Sequence, residues 1–231
     1  MTMYLDPTYL LLIPGLLLAF YAQWKVKSAY AKYSKVPLSS RVSGAEAAER
    51  ILRQNGNDAV QIAQVAGQLT DNYNPRTEVL SLSEGVYNSA SVAAVGIAAH
   101  EAGHAMQKKD NYGPLNLRSI VVPTVSIGSR LSMPIFILGL IVSWQPLLYA
   151  GIAMFALTVV FSLITLPVEF NASKRAVAML QSSGIITTRE EEKGVRAVLS
   201  AAALTYVAAA VSAILQLIRL ILLSRSSSRR R

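Results

Sequence analysis

The chain has 231 residues, 52% of them hydrophobic and only 15% charged, with a formal net charge of +9 and no cysteine. Without cysteine there are no disulfides and no thiolate metal sites, so a metal would have to be held by His, Asp, Glu or weaker oxygen ligands. The basic residues collect beside apolar runs with no aromatic-rich nucleic-acid motif among them. This pattern favours an anionic lipid bilayer over nucleic acid as partner.

The first apolar run covers Tyr9 to Ala22 and extends back to Tyr4. Positive charge follows it, at Lys25, Lys27, Lys32 and Lys35, and no small-residue cleavage site is seen. The run therefore reads as an uncleaved membrane anchor over 1–24, with the lysine cluster on the cytoplasmic side. A more polar segment, 25–118, comes next. Ser43 and Glu46 make an S-x-x-E capping box that opens a helix stopping at Gly56. Val60, Ile62, Gln64 and Val65 suggest a short strand. The stretch LTDNYNPRTEVLSLS reads as a hairpin turning at Asn74 and Pro75, with Val79, Leu80, Ser81 and Leu82 in its second strand. A helix capped by Ser89 or Ser91 is predicted to run to about Lys108.

Two apolar runs, Ile127 to Ser143 and Leu147 to Leu166, flank a break at Trp144, Gln145 and Pro146. They read as a transmembrane hairpin within 119–166, the second run being about long enough to cross a bilayer. It passes into LPVEFNASKRAVAMLQSSG, a helix that leaves the membrane and ends at Gly184. A last helical stretch, Val195 to Leu223, begins Ala-rich and ends Leu/Ile-rich around Arg219, within a segment spanning 167–223. The basic tail, 224–231, reads as disordered and solvated. The expected fold class is a mainly α integral membrane protein with a small β-hairpin or sheet and three to four membrane helices.

Both histidines of the chain lie in HEAGHAMQ, His100 to Gln107. On a helix, residues i and i+4 share a face, so His100 and His104 can turn two imidazoles toward one metal ion. Glu101 adjoins the first of them and can reach a water at that ion. H-E-x-x-H is the zincin motif for this reason, two ligands and a general base on two helical turns. Gly103 is a poor helix former, worth about 1 kcal/mol less than alanine, and a close approach by another helix or by substrate would explain it. A catalytic zinc takes three protein ligands and a water. With no third histidine, the remaining ligand is expected to be a carboxylate. Asp110 faces away from the pair, and Glu190, Glu191 and Glu192 resemble a solvated helix start that complements the helix dipole. Glu169 directly follows an apolar span, where a lone carboxylate is unfavourable unless paired or metal-bound. It is the expected ligand, the competing reading being an ion pair with Lys174 or Arg175. Two spans separate His104 from Glu169, so both return to one side of the membrane.

The segments LTDNYNPR, SVAAVGIAAHEAGHAMQ, LPVEFNASKRA and AAALTYVAAA, in that order, resemble the YugP-like membrane zinc metallopeptidases of bacteria, also called neutral zinc metallopeptidases, over most of the chain. That family is similar to the HtpX-type proteases and the CAAX prenyl endopeptidases. In those relatives a Glu opens an E-x-x-A-[DS]-like helix and ligates zinc, which carries over onto Glu169 with Ala172 and Ser173 following. Ser173 stands where those relatives place an Asp that orients a ligand histidine, and it is a weaker acceptor. The family more often has His and Asp where this chain has Asn72 and Asn74.

The resemblance implies a zincin-like domain hydrolysing peptide bonds with one Zn2+ and Glu101 as general base. Tyr206 and Arg175 are candidate oxyanion partners. The strand Val79 to Leu82 is a candidate open edge for an extended peptide or protein substrate, membrane proteins included. The last hydrophobic helix has two readings. A fourth span would put the basic tail outside, against the positive-inside rule. The favoured version packs AAALTYVAAAVSAI against the zinc helix, as the comparable helix does in HtpX-type relatives, and lays LQLIRLILL along the cytoplasmic membrane face. The expected protein is a multi-pass endopeptidase of the inner (plasma) membrane with its active site facing the cytoplasm. The alternative is a catalytically silent scaffold with a structural zinc site, against which the intact Glu101 weighs. A transporter is disfavoured by spans without an ionisable pathway.

Overall fold

A computed structural model describes residues 6–229, with side chains through 226. The backward extension of the first run to Tyr4, and Arg230 and Arg231 of the tail, lie outside the described residues. A short 3-10 turn, Pro7–Leu12, leads into α1 (Ile13–Tyr33), then α2 (Gly44–Gln54), β1 (Gln61–Val65), β2 (Asn72–Asn74) and β3 (Val79–Ser83). The rest is helical: α3 (Glu84–Tyr87), α4 (Val92–Lys109), α5 (Gly113–Ile141), α6 (Gln145–Ser182) and α7 (Arg189–Arg229). Four helices among the described residues are long and apolar enough to cross a membrane: Pro7–Tyr33, Gly113–Ile141, Gln145–Ser182 and Arg189–Ser226. This is a mainly α membrane protein.

The chain divides into two compact units. One contains the first helix up to Ala22, residues Leu117–Leu166 and α7 from Thr205 onward; the other contains Gln23–Asn116 and Pro167–Leu204. In the first unit Phe136 of α5, Leu148 of α6 and Leu220 of α7 are buried together. Many large apolar side chains of this unit remain exposed, among them Leu17, Phe20, Ile120, Ile141 and Val160, as lipid-facing residues would be.

Here α7 differs from the favoured expectation. It is one unbroken helix from Arg189 to Arg229, and LQLIRLILL packs within the bundle instead of lying along a membrane face. The physical reason is close packing on α1. A Cβ at Gly15 would stand 2.9 Å from Ser212 Oγ, so the two backbones meet at small residues, as membrane helices commonly do. The Arg219 guanidinium lies 3.8 Å from the centre of the Tyr9 ring, a cation–π contact that lets a charged side chain sit inside the bundle. The tail is likewise helical as far as Arg229, not disordered from 224 onward.

The second unit is an α/β layer. The capping box expected at Ser43 is present in both directions, with Glu46 N–H donating to Ser43 Oγ and Ser43 N–H to the Glu46 carboxylate. Strand order is β1-β3-β2, with β1 parallel and β2 antiparallel to β3. Alternation along β3 turns Leu80 and Leu82 inward against Ile51 and Leu52 of α2 and Val95 and Ala98 of α4. The hairpin at Asn74 and Pro75 forms as expected. A parallel pair needs a long connection, and residues 66–78 between β1 and β3 provide it, carrying β2 and the hairpin turn on the way.

The acidic run in the first turn of α7 also differs from a solvated helix start. Thr188 and Glu191 form a second capping box: Thr188 N–H donates to the Glu191 carboxylate at 3.1 Å, and Glu191 N–H donates to Thr188 Oγ1 at 3.1 Å. The same carboxylate accepts from Thr187 N–H at 2.9 Å and, across the fold, from Ser39 N–H at 2.7 Å. Glu191 is buried, whereas Glu192 remains at the surface in an i,i+4 pair with Arg196. Replacing Glu191 by alanine strands three amides. The expected result is a loss of about 1–3 kcal/mol, seen as a lowered thermal midpoint in detergent, with Glu190→Ala unchanged within about 0.5 kcal/mol.

Candidate metal centre

The site is built where α4 meets α6 within the second unit. Ser91 caps α4 by accepting from Ala94 N–H at 3.2 Å, which fixes the helix start two turns before His100. Ala93, Ala94, Ala98, Ala99, Ala102 and Ala105 are buried, so α4 is a narrow helix enclosed on most sides. Gly103 marks its closest contact. A Cβ there would lie 2.8 Å from the Ala172 carbonyl oxygen of α6 and 3.3 Å from its Cα. Of the two explanations the sequence allows for this glycine, the approach of another helix is the one seen.

That approach brings His100, His104 and Glu169 together. Their donor atoms all lie within 4.8 Å of one another. His100 Nε2 is 3.3 Å from Glu169 Oε2, and His104 Nε2 is 3.5 Å from the same oxygen. In a tetrahedral zinc site with bonds of about 2.0–2.1 Å, neighbouring donors stand about 3.4 Å apart. The two imidazoles are edge-on, with centroids 4.7 Å apart and planes at 85°. Their side chains are 14% and 12% exposed and that of Glu169 is 3% exposed, so the cluster is enclosed but reachable at the histidines. Two imidazoles and a carboxylate are the donors that suit a divalent zinc ion, and the three residues fit it by spacing and by chemistry.

The other ring nitrogens are engaged too. His100 Nδ1 is 3.2 Å from Ser173 Oγ, placing Ser173 where the resemblance implies an orienting residue. His104 Nδ1 is 3.0 Å from Gln107 Oε1. Gln107 is wholly buried, and nothing in the sequence reading singled it out. Its signal was its spacing, three residues past His104 and so on the same helix face.

Glu101 is buried beside the cluster. Burial pushes its carboxyl upward; His100 and His104 oppose this, while the Glu169 and Asp71 charges add to it. Asp71, also unforeseen, opens the β-hairpin and accepts from Ser83 N–H at 2.8 Å and Ser83 Oγ at 3.1 Å. Burial raises its carboxyl as well, against the lowering effect of the Ser83 bonds.

Arg175 reaches Asp110 through Nη1 and Asn171 through Nε, so its guanidinium ties the end of α4 to α6. Asp110 caps α4 and takes this ion pair. Tyr206 lies on α7 in the first unit. The expected open edge at Val79, Leu80, Ser81 and Leu82 is corrected by the sheet: β3 is its central strand, paired with β1 over Val79–Ser83 and with β2 over Val79–Ser81. A central strand has its main-chain groups taken by neighbours, and the sheet's free edges belong to β1 and β2.

A helix carrying H-E-x-x-H thus meets an acidic donor from a second helix, in a chain with four helices among its described residues long and apolar enough to cross a membrane. Residues 8–225 match the family described as "Putative neutral zinc metallopeptidase", and the chain belongs to that family. It is 47% identical over 213 residues, covering 92% of this chain and 94% of the relative, to "Putative membrane protease YugP" of Bacillus subtilis (strain 168). No solved structure matches the chain.

The Gly103 contact yields a test in which one variant leaves all three candidate ligands in place. Gly103→Val drives a branched side chain into the α6 backbone and displaces Glu169 from the histidines. Elemental analysis of detergent-purified protein is expected to find about one zinc per wild-type chain, and much less in Gly103→Val and in Glu169→Ala. Full zinc in Glu169→Ala would place the third ligand elsewhere.

Proposed function

We propose that this protein is a membrane-embedded zinc endopeptidase in which His100, His104 and Glu169 hold one Zn2+ and Glu101 is the general base. The observation that carries the reading is the spacing of three donors from two helices around one point, with a buried carboxyl next to them. Zinc, when bound, supplies a Lewis acid that polarises a carbonyl and lowers the pKa of water. The chain's own residues do the rest. Glu101 takes a proton from the attacking water and returns it to the leaving amine; its enclosure raises the affinity of the carboxyl for that proton, which favours the first of these transfers. Ser173 and Gln107 hold the imidazoles in place.

The substrate is a peptide or protein, and a membrane protein suits a catalytic unit joined to four apolar helices. Lys25, Lys27, Lys32 and Lys35, with Lys108, Lys109 and Arg118, flank the ends of the spans that connect to the catalytic unit. They outnumber Arg225, Arg229, Arg230 and Arg231 of the C-terminal sequence, which by the positive-inside rule favours the cytoplasmic face of the plasma membrane for the active site.

Glu101→Gln is expected to keep zinc and to lower cleavage of a quenched-fluorescent peptide library by at least about a hundredfold. Undiminished cleavage by this variant would overturn the role of Glu101. Zinc bound by a wild type that cleaves nothing would favour the scaffold.

A further inference from the structure

The Gln107 side chain makes three hydrogen bonds from inside the protein, and their donors and acceptors can be assigned without ambiguity. Its Nε2 donates to the Val168 carbonyl at 2.7 Å and to Asn171 Oδ1 at 3.0 Å. A backbone carbonyl only accepts, so the amide nitrogen has to face Val168. Asn171 is fixed from its other side, since Arg175 Nε, which only donates, lies 2.9 Å from Asn171 Oδ1. Arg175 is itself held by Asp110. With both protons of the Gln107 amide committed, its oxygen is left facing His104 Nδ1. An oxygen there requires a proton on Nδ1, and a neutral imidazole protonated at Nδ1 carries its free lone pair on Nε2, the atom turned toward Glu169.

We infer that Gln107 is the positioning residue of the metal centre: it fixes His104 with Nδ1 protonated and Nε2 available to zinc, and clamps α6 on both sides of Glu169. The inference rests on the zinc reading proposed above. Two of its partners, Val168 and Asn171, bracket Glu169 in the sequence, so one buried side chain on α4 orients one ligand and locates another on α6. Metal-bound histidines commonly donate their second N–H to a carboxylate, a backbone carbonyl or water. Here the partners are neutral, an amide for His104 and a hydroxyl for His100. A neutral acceptor orients the ring without adding negative charge to a pocket that already holds Glu101, Glu169 and Asp71.

The test uses full-length protein in detergent, loaded with zinc. Zinc affinity is measured by chelator competition for wild type, Gln107→Leu and Gln107→Glu. Gln107→Leu fills a similar volume without an acceptor and is expected to weaken zinc by about 10- to 100-fold. Gln107→Glu keeps an acceptor for the Nδ1 proton but loses the donors to Val168 and Asn171, and is expected to bind zinc more tightly than Gln107→Leu and less tightly than wild type. With only two histidines in the chain, 15N-histidine labelling resolves both rings. In zinc-loaded wild type, His104 is expected to show metal on Nε2 and a slowly exchanging proton on Nδ1. That reading needs no variant to fold, and a purely structural role for Gln107 would not produce it. Metal on Nδ1 of His104, or wild-type affinity in Gln107→Leu, overturns the role of Gln107 alone. A wild type that binds no zinc overturns the zinc reading and this inference with it.

Discussion

Everything at the candidate centre depends on how closely α4 and α6 approach at Gly103 and Ala172. H-E-x-x-H supplies two donors from one helix, but two donors do not make a zinc site. The third comes from a segment 65 residues later, and it arrives because α4 presents a glycine where the α6 backbone passes. A side chain at that point would hold the helices apart by roughly the thickness of a methyl group, more than a set of donors spaced for one ion can absorb. The small residues along α4 serve the same end, letting the ligand helix sit enclosed among α2, the sheet and α6.

Enclosure brings an electrostatic problem that the arrangement answers. The Glu169 and Asp71 charges both act on Glu101, and burial disfavours the ionised form of each of the three carboxyls. Asp71 is partly relieved by the Ser83 amide and hydroxyl. Glu169 faces two imidazoles, and a divalent cation between them would offset its charge and that of Glu101. The orienting partners of the histidines are neutral, so they add no further negative charge. A cluster of buried acidic groups beside two imidazoles is one that physical chemistry associates with function more than with stability.

The membrane unit follows other rules. Lipid offers no hydrophobic reward for bringing helices together, so they associate through close contact and specific polar contacts. Gly15 against Ser212 and Arg219 against Tyr9 are contacts of those two kinds, and they keep the second half of α7 in the bundle. Pro123 and Pro134 in α5 and Pro167 in α6 interrupt helical hydrogen bonding. Pro167 stands where α6 passes from one compact unit to the other, two residues before Glu169.

Local signals in the sequence determined a good deal by themselves. Capping boxes, helical spacing and apolar runs act within a few residues, so α2, α4, the hairpin, the spans and the pairing of His100 with His104 were legible in order. Elimination among few carboxylates, with a family resemblance, pointed to Glu169. What the sequence left open was decided by contacts between distant residues. Sheet order is one: alternation marks Val79–Ser83 as a strand but does not say that β1 pairs with it in parallel and closes its edge. The surroundings of Glu191 are another, since only folding brings Ser39 N–H to that carboxylate. The path of α7 turned on Gly15 and Tyr9, some two hundred residues away in the chain. Gln107 looked like an ordinary polar residue near a helix end. Its meaning appeared only when α6 placed Val168 and Asn171 against it, because a side-chain amide has no fixed direction until its partners supply one.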